Sequence, residues 1–317
     1  MTYLFHSKRL LKCLLNFFLN FFLNYWLNLR PLLTLSRLIS NLKHAQHALL
    51  SASLACLIFV CADPVRAQAP SAKDATDAAL AQYRQMLQEA NPADLYVAKG
   101  QSLWSQARGP KSQPLTSCDL GLGPGVVKGA WVQLPRYFPD TQRVQDLESR
   151  LITCMQDIQG FNAQELIALD FSKGERLNIA LLAAYVSSES QGLAFNVPQS
   201  NPVEKKMYEV GREIFYMRAG THDFSCASCH TQEGRRIRLQ DLPNLNTPAG
   251  SGFAFGTWPA YRVSTGSIWT MQQRLSDCYR QQRFPKPKYV SPATIALSVY
   301  LGVNASGQLA DAPGLKR

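Results

Sequence analysis

Five residues constrain this chain more than any others: Cys226-Ala227-Ser228-Cys229-His230. A Cys-x-x-Cys-His run is the sequence at which a c-type haem is attached. Two thiols one helical turn apart are placed to add to the two haem vinyl groups, and the imidazole that follows reaches the iron as proximal ligand. A zinc half-site or a thioredoxin-like dithiol would need a second ligand pair or a βαβ setting. The sequence offers neither.

Haem attachment of this kind takes place outside the bacterial cytoplasm, so an export signal is expected. Lys43 precedes an apolar run from Ala48 to Val60, and Val65-Arg66-Ala67-Gln68-Ala69 offers small-residue cleavage sites. Residues 1–69 are therefore read as a cleaved targeting segment and the mature chain as periplasmic. Upstream, Asn16, Asn20, Asn24 and Asn28 interrupt a Leu/Phe repeat, which suits neither a signal peptide nor an uninterrupted membrane span. The preferred reading is an over-extended start, with an amphipathic membrane-associated extension as the alternative.

That segment carries much of the positive charge. Of 33 basic and 22 acidic residues, 26 and 21 lie beyond residue 69, so the net of +11 falls to +5. With no basic helix or aromatic stacking motif, nucleic acid is not an expected partner.

Five cysteines remain in the mature chain: Cys118, Cys154, Cys226, Cys229 and Cys278. An internal repeat organises them. Gly211-Arg212-Glu213-Ile214-Phe215, the attachment motif, Arg274-Leu275-Ser276-Asp277-Cys278 and Ile295-Ala296-Leu297 follow one another. The first half has the same order in Gly100-Gln101-Ser102-Leu103-Trp104, Cys118, Arg150-Leu151-Ile152-Thr153-Cys154 and Ile179-Ala180-Leu181. If Cys118 matches the first attachment cysteine, Leu122 falls in the place of the proximal histidine, and no haem can be held there in the usual way. Cys118 and Cys154 are then expected to close a disulfide across the vacated site.

The sixth iron ligand is not settled by spacing. His222 lies too close in sequence to Cys226 to reach the distal side, which leaves Cys278, Met271, Met217, Met207 or an open position. Met271 and Cys278 share one apolar helix stripe, and the bland reading of Cys278 is a buried core thiol. Two other functions follow from those alternatives: a simple electron-transfer cytochrome, or a haem peroxidase or sensor with an open site.

The fold class expected is mainly α: two tandem cytochrome c-like domains, a haem-less one over 70–190 and a haem-binding one over 200–304, with a tail at 305–317. Helices are expected near 72–90, 93–105, 142–159, 163–169, 174–187, 203–218, 265–282 and 291–302. Gly/Pro-rich stretches at 121–140 and 243–260 are expected as loops.

Longer stretches carry a family likeness. Cys118-Asp119-Leu120-Gly121-Leu122-Gly123-Pro124-Gly125, Leu134-Pro135-Arg136-Tyr137-Phe138, Gln145-Asp146-Leu147-Glu148-Ser149-Arg150-Leu151 and Arg274-Leu275-Ser276-Asp277-Cys278-Tyr279-Arg280-Gln281 resemble the SoxA family of sulfur-oxidising bacteria. The resemblance implies an L-cysteine S-thiosulfotransferase with one covalently bound haem c. Thiosulfate would be joined to a cysteine of the SoxYZ carrier, electrons would leave to cytochrome c, and a SoxX cytochrome subunit would be bound. It further implies that Cys278 is the catalytic residue and distal iron ligand, often as a persulfide, and that Arg274 binds substrate. A helix places Arg274 and Cys278 on one face, where a guanidinium stabilises a thiolate and pairs with a sulfonate. Arg280 and Arg283 are weaker candidates to extend the positive patch.

Overall fold

The computed structural model describes residues 72–171, 173–237 and 240–317; the expected targeting segment 1–69 lies outside them. Ten helices and seven short strands are described: α1 (Ala72–Glu89), α2 (Ala93–Ser105), β1 (Arg136–Phe138), β2 (Arg143–Gln145), α3 (Leu147–Asp157), α4 (Ala163–Ala168), α5 (Gly174–Ser188), α6 (Pro202–Tyr216), α7 (Cys226–His230), β3 (Arg236–Ile237), β4 (Gln240–Asp241), α8 (Pro248–Phe255), β5 (Ala260–Arg262), β6 (Ser267–Trp269), α9 (Met271–Gln281), α10 (Pro292–Asn304) and β7 (Gly314–Lys316). None of the described helices is long and apolar enough to cross a membrane.

The helix starts follow local chemistry. Asn201 accepts from Val203 N while Glu204 reaches back to Asn201 N at 3.1 Å, with Pro202 opening α6. Ser291 and Pro292 do the same work for α10. Asp146 caps α3 and Thr270 caps α9.

Two helix crossings repeat through the chain. A Cβ on Gly100 of α2 would collide with the Leu181 carbonyl of α5 and stand 2.9 Å from Tyr185 Cβ. In the same way a Cβ on Gly211 of α6 would collide with the Ala296 carbonyl of α10 and stand 2.9 Å from Tyr300 Cβ. One turn on, Trp104 packs on Tyr185 and Phe215 on Tyr300. The two backbones meet this closely only because glycine has no side chain.

The hairpins repeat as well. In β1–β2, Tyr137 faces Val144; in β5–β6, Tyr261 faces Ile268. Each hairpin leads directly into an eleven-residue helix, α3 or α9. Residues 142–146 and 265–270, expected to be helical, are therefore turn, strand and cap. The stretch 243–260 also contains a helix, α8, where a loop was expected.

The halves meet through paired helix starts. Glu148 Oε1 accepts from Gln272 N at 3.1 Å, Gln272 Nε2 donates to Asp146 Oδ2 at 2.6 Å, and Tyr289 OH donates to Glu148 Oε2 at 2.7 Å. Beside them is a cavity of about 30 Å³ lined by matching residues of both halves, among them Leu134 and Trp258, Asp146 and Thr270, and Leu147 and Met271. One hydrophobic cluster runs through both halves, and Asp74–Arg317 form one compact unit.

The expected loose tail at 305–317 is in place as structure. Ala194 bridges to Leu309, and β7 pairs in parallel with β5, aligning Lys316 with Arg262. Backbone hydrogen bonds to a sheet edge outweigh the Gly/Pro/Ala composition that suggested a free end.

Candidate functional site

The attachment motif forms the short helix α7, whose start is fixed by a reciprocal pair: Ser225 Oγ accepts from Ser228 N at 3.1 Å and Ser228 Oγ from Ser225 N at 3.0 Å. His230 follows with its ring tied down. Its Nδ1 lies 2.9 Å from Pro243 O, and a carbonyl can only accept, so Nδ1 carries the proton and Nε2 keeps its lone pair. Burial lowers the basicity of this imidazole, which favours the neutral form a metal needs.

Cys226, Cys229 and Cys278 are the free cysteines of the described residues, and all three are partly buried. They come together. Burial above all, with charge on Cys278 and Cys229 adding to it, pushes the Cys226 thiol up to about 12. Burial likewise raises Cys278; the Arg274 guanidinium works against that shift, and Cys229 adds to it.

Arg274 and Cys278 sit one turn apart on α9. Arg274 is held only lightly, its Nη1 3.4 Å from Asp277 Oδ2. Asp277 accepts its shorter bonds from Arg280 Nη2 at 2.7 Å and Gln281 Nε2 at 2.6 Å. Arg280 is thus an exposed partner of Asp277, and Arg283 forms part of the turn after α9 with positive φ.

The methionines lie elsewhere. Met271 lines the cavity between the halves, Met207 packs with Val144, Ile295 and Val299, and Met217 is exposed at the end of α6.

The residues fit a covalently held haem. Two free thiols three positions apart, an imidazole with Nε2 available and a further sulfur electrostatically coupled to both thiols make up that donor set. Among the described residues, no group of three or more His, Cys, Asp or Glu gathers to hold a bare metal ion.

In the first half Cys118 and Cys154 form a disulfide, with Cα atoms 5.6 Å apart. Its register differs from the sequence expectation. The turn Arg108–Gln113, with Gly109 and Ser112 at positive φ, repeats as Ala219–Phe224, with Gly220 and Asp223 at positive φ. Counting from that turn, Cys118 matches Cys229, Leu115 matches Cys226 and Asp119 matches His230. Matching Cys118 to Cys226, and so Leu122 to His230, was off by three residues, because a single cysteine gives no register. Leu115 is fully buried. Asp119 Oδ1 accepts from Gly121 N at 2.7 Å and Gly123 N at 3.0 Å, fixing the loop.

Sequence reasoning missed Arg262. It extends from β5 within electrostatic reach of Arg274, Asp277 and Cys278. Aligning Pro135 with Pro259 is the signal that would have found it, by revealing Arg262 opposite Phe138 of the first half.

Comparison with known proteins agrees with this geometry. The family model for the SoxA/TsdA cytochrome c domain matches residues 99–195, the half that lacks the attachment motif. The chain is 52% identical over 239 residues to the L-cysteine S-thiosulfotransferase subunit SoxA of Hydrogenophilus thermoluteolus, spanning 75% of this chain and 88% of that one. It is 35% identical to a SoxA subunit of Hydrogenobacter thermophilus, over 71% and 82% of the two chains. The fold is similar to the crystal structure of SoxXA from P. pantotrophus, with a TM-score of 0.62 at 24% identity, covering 74% of this chain and 84% of that one. The fold is therefore a mainly helical, cytochrome c-like one, and the chain belongs to the SoxA family.

Proposed function

We propose that this chain is the catalytic subunit of an L-cysteine S-thiosulfotransferase, with Cys278 as its reactive sulfur and Arg274 as a substrate-binding residue. The observation that carries this reading is the meeting of Cys278 with the attachment thiols while Arg274 stands one turn away. The names of the SoxA relatives support the same activity.

One haem c would be held covalently by Cys226 and Cys229, and His230 and Cys278 would bind its iron. Bound there, it supplies an electron acceptor beside the reactive sulfur. The first half is read as a haem-less domain over 70–190 and the second as the haem-binding domain over 200–304. Leu115 and Asp119, in the places of Cys226 and His230, support that division.

The chemistry balances as an oxidation. The sulfane sulfur of thiosulfate bonds to the Cys278 thiolate, giving an S–S bond and releasing two electrons. A thiolate of the carrier protein then attacks that sulfane sulfur. The bond to Cys278 breaks, the S–SO₃ group moves to the carrier, and Cys278 is left as thiolate. Arg274 holds the sulfonate through charge-assisted hydrogen bonds and favours the thiolate. The carrier would be SoxYZ, the electron acceptor a cytochrome c, the partner subunit SoxX, and the compartment the periplasm.

Arg274→Gln in the holoprotein tests the substrate role. Loss of one charge-assisted pair should lower kcat/KM for thiosulfate by about 10- to 100-fold, with the haem spectrum unchanged. Undiminished kcat/KM would remove Arg274 from the site. A resting persulfide would appear as the loss of one sulfur in intact mass after gentle reduction.

A further inference from the structure

We infer that Arg262 is a second anion-binding guanidinium of this site, gripping the sulfonate end of thiosulfate beside Arg274. The inference deepens the proposed thiosulfate reading and rests on it.

The two halves provide an internal control. Arg150 holds in α3 the position that Arg274 holds in α9. It is fully neutralised: Nη1 pairs with Asp140 Oδ2 at 2.7 Å, Nε donates to Asp119 O at 2.6 Å, and the guanidinium lies 4.0 Å from the centre of the Phe138 ring. The hairpin registers put Arg262 in the place of Phe138 and Ser264 in the place of Asp140. Around the second arginine, then, the carboxylate of the hairpin turn is replaced by a serine and the phenyl ring by a guanidinium.

Asp277, which stands where the first half has Thr153, offsets that change only in part. Arg274 has a 3.4 Å approach to Asp277, which Arg280 and Gln281 bind more closely, and a place 5.9 Å from the centre of the Trp258 ring. Arg262 Nη2 reaches Ser264 Oγ at 3.3 Å, and the guanidinium lies 4.8 Å from the centre of the Trp269 ring. Its Nε is buried with no hydrogen-bond partner.

Two guanidinium groups within electrostatic reach of each other, one with a buried donor unpaired, are unfavourable alone. An oxyanion between them supplies both the missing acceptor and the missing negative charge. Thiosulfate is a dianion with three sulfonate oxygens, enough to serve both arginines while its sulfane sulfur points to Cys278. Lys316, beside Arg262 in the parallel strand pair, adds positive potential on the same side.

The test uses the holoprotein with thiosulfate as substrate and sulfate as a non-reacting dianion. Arg262→Leu should raise KM for thiosulfate and the inhibition constant of sulfate about tenfold or more, with kcat within a few-fold of wild type. Equilibrium dialysis with radiolabelled sulfate should show the same weakening without turnover. Arg262→Lys should recover part of both. Unchanged KM and sulfate affinity in Arg262→Leu, or an Arg262→Lys as impaired as the leucine variant with an intact haem spectrum, would overturn the assignment. If Arg262→Leu fails to accumulate as holoprotein, Arg262→Gln carries the same comparison. Failure of wild type to couple thiosulfate to a carrier thiol would instead refute the proposed function.

Discussion

Cys118 stands in the first half where Cys229 stands in the second, each eighteen residues after a glycine buried in a helix crossing. Cys154 likewise takes the place of Cys278. The first half therefore joins by a disulfide the two positions whose counterparts in the second half, Cys229 and Cys278, are not joined to each other. One arrangement has become a structural clamp and the other remains open for chemistry.

That clamp should matter for stability. The bridge spans 36 positions, and loop closure of that length stabilises by roughly 3–4 kcal/mol in the chain-entropy estimate. The Cys118→Ser, Cys154→Ser double variant should lose about that much in denaturant unfolding, with its haem absorbance per protein unchanged.

The junction between the halves should respond to pH. Burial, with Asp146 beside it, raises the Glu148 carboxyl to about 7, while Tyr289 donates to it and Arg176, stacked on the Tyr289 ring, lies within electrostatic reach. The folded state thus holds a proton that the unfolded chain releases near 4.5. This contribution is full below that value and is lost as pH rises through about 7. Denaturation midpoints should fall between pH 5 and pH 8 in wild type and fall less in Glu148→Gln, which gains on wild type at the higher pH. Parallel curves for the two proteins would contradict this.

The second half should not tolerate a methyl group at its helix crossing. Gly211→Ala forces α6 away from the Ala296 carbonyl and Tyr300, an overpacking that costs on the order of 1–3 kcal/mol or more. The expected outcome is a lower unfolding midpoint and less haem-loaded protein on expression. Gly100→Ala should lower the midpoint to a similar degree.

The sequence made the helices and the chemistry-bearing cysteines legible, because a 3.6-residue apolar stripe and a five-residue motif are both local signals. The hairpins were hidden for a specific reason. Val144 and Ile268 lie in phase with the stripes of α3 and α9, so strand and helix read as one continuous helix. The first-half register was hidden because it depends on a positive-φ turn at Gly109 and Ser112. Arg262 and the final strand depend on pairings between distant segments, Tyr261 with Ile268 and Lys316 with Arg262, which no local window contains.

Cys278 is proposed both as the reactive sulfur and, with His230, as a residue that would bind the haem iron. That assignment is tested most directly by the low-temperature electron paramagnetic resonance spectrum of the oxidised holoprotein, compared with that of Cys278→Met. The expected result is a low-spin signal of combined anionic-sulfur and imidazole ligation. In the variant it should be replaced by a His/Met signal, together with a higher haem potential and loss of thiosulfate coupling. An unchanged spectrum in Cys278→Met, with coupling retained, would contradict it.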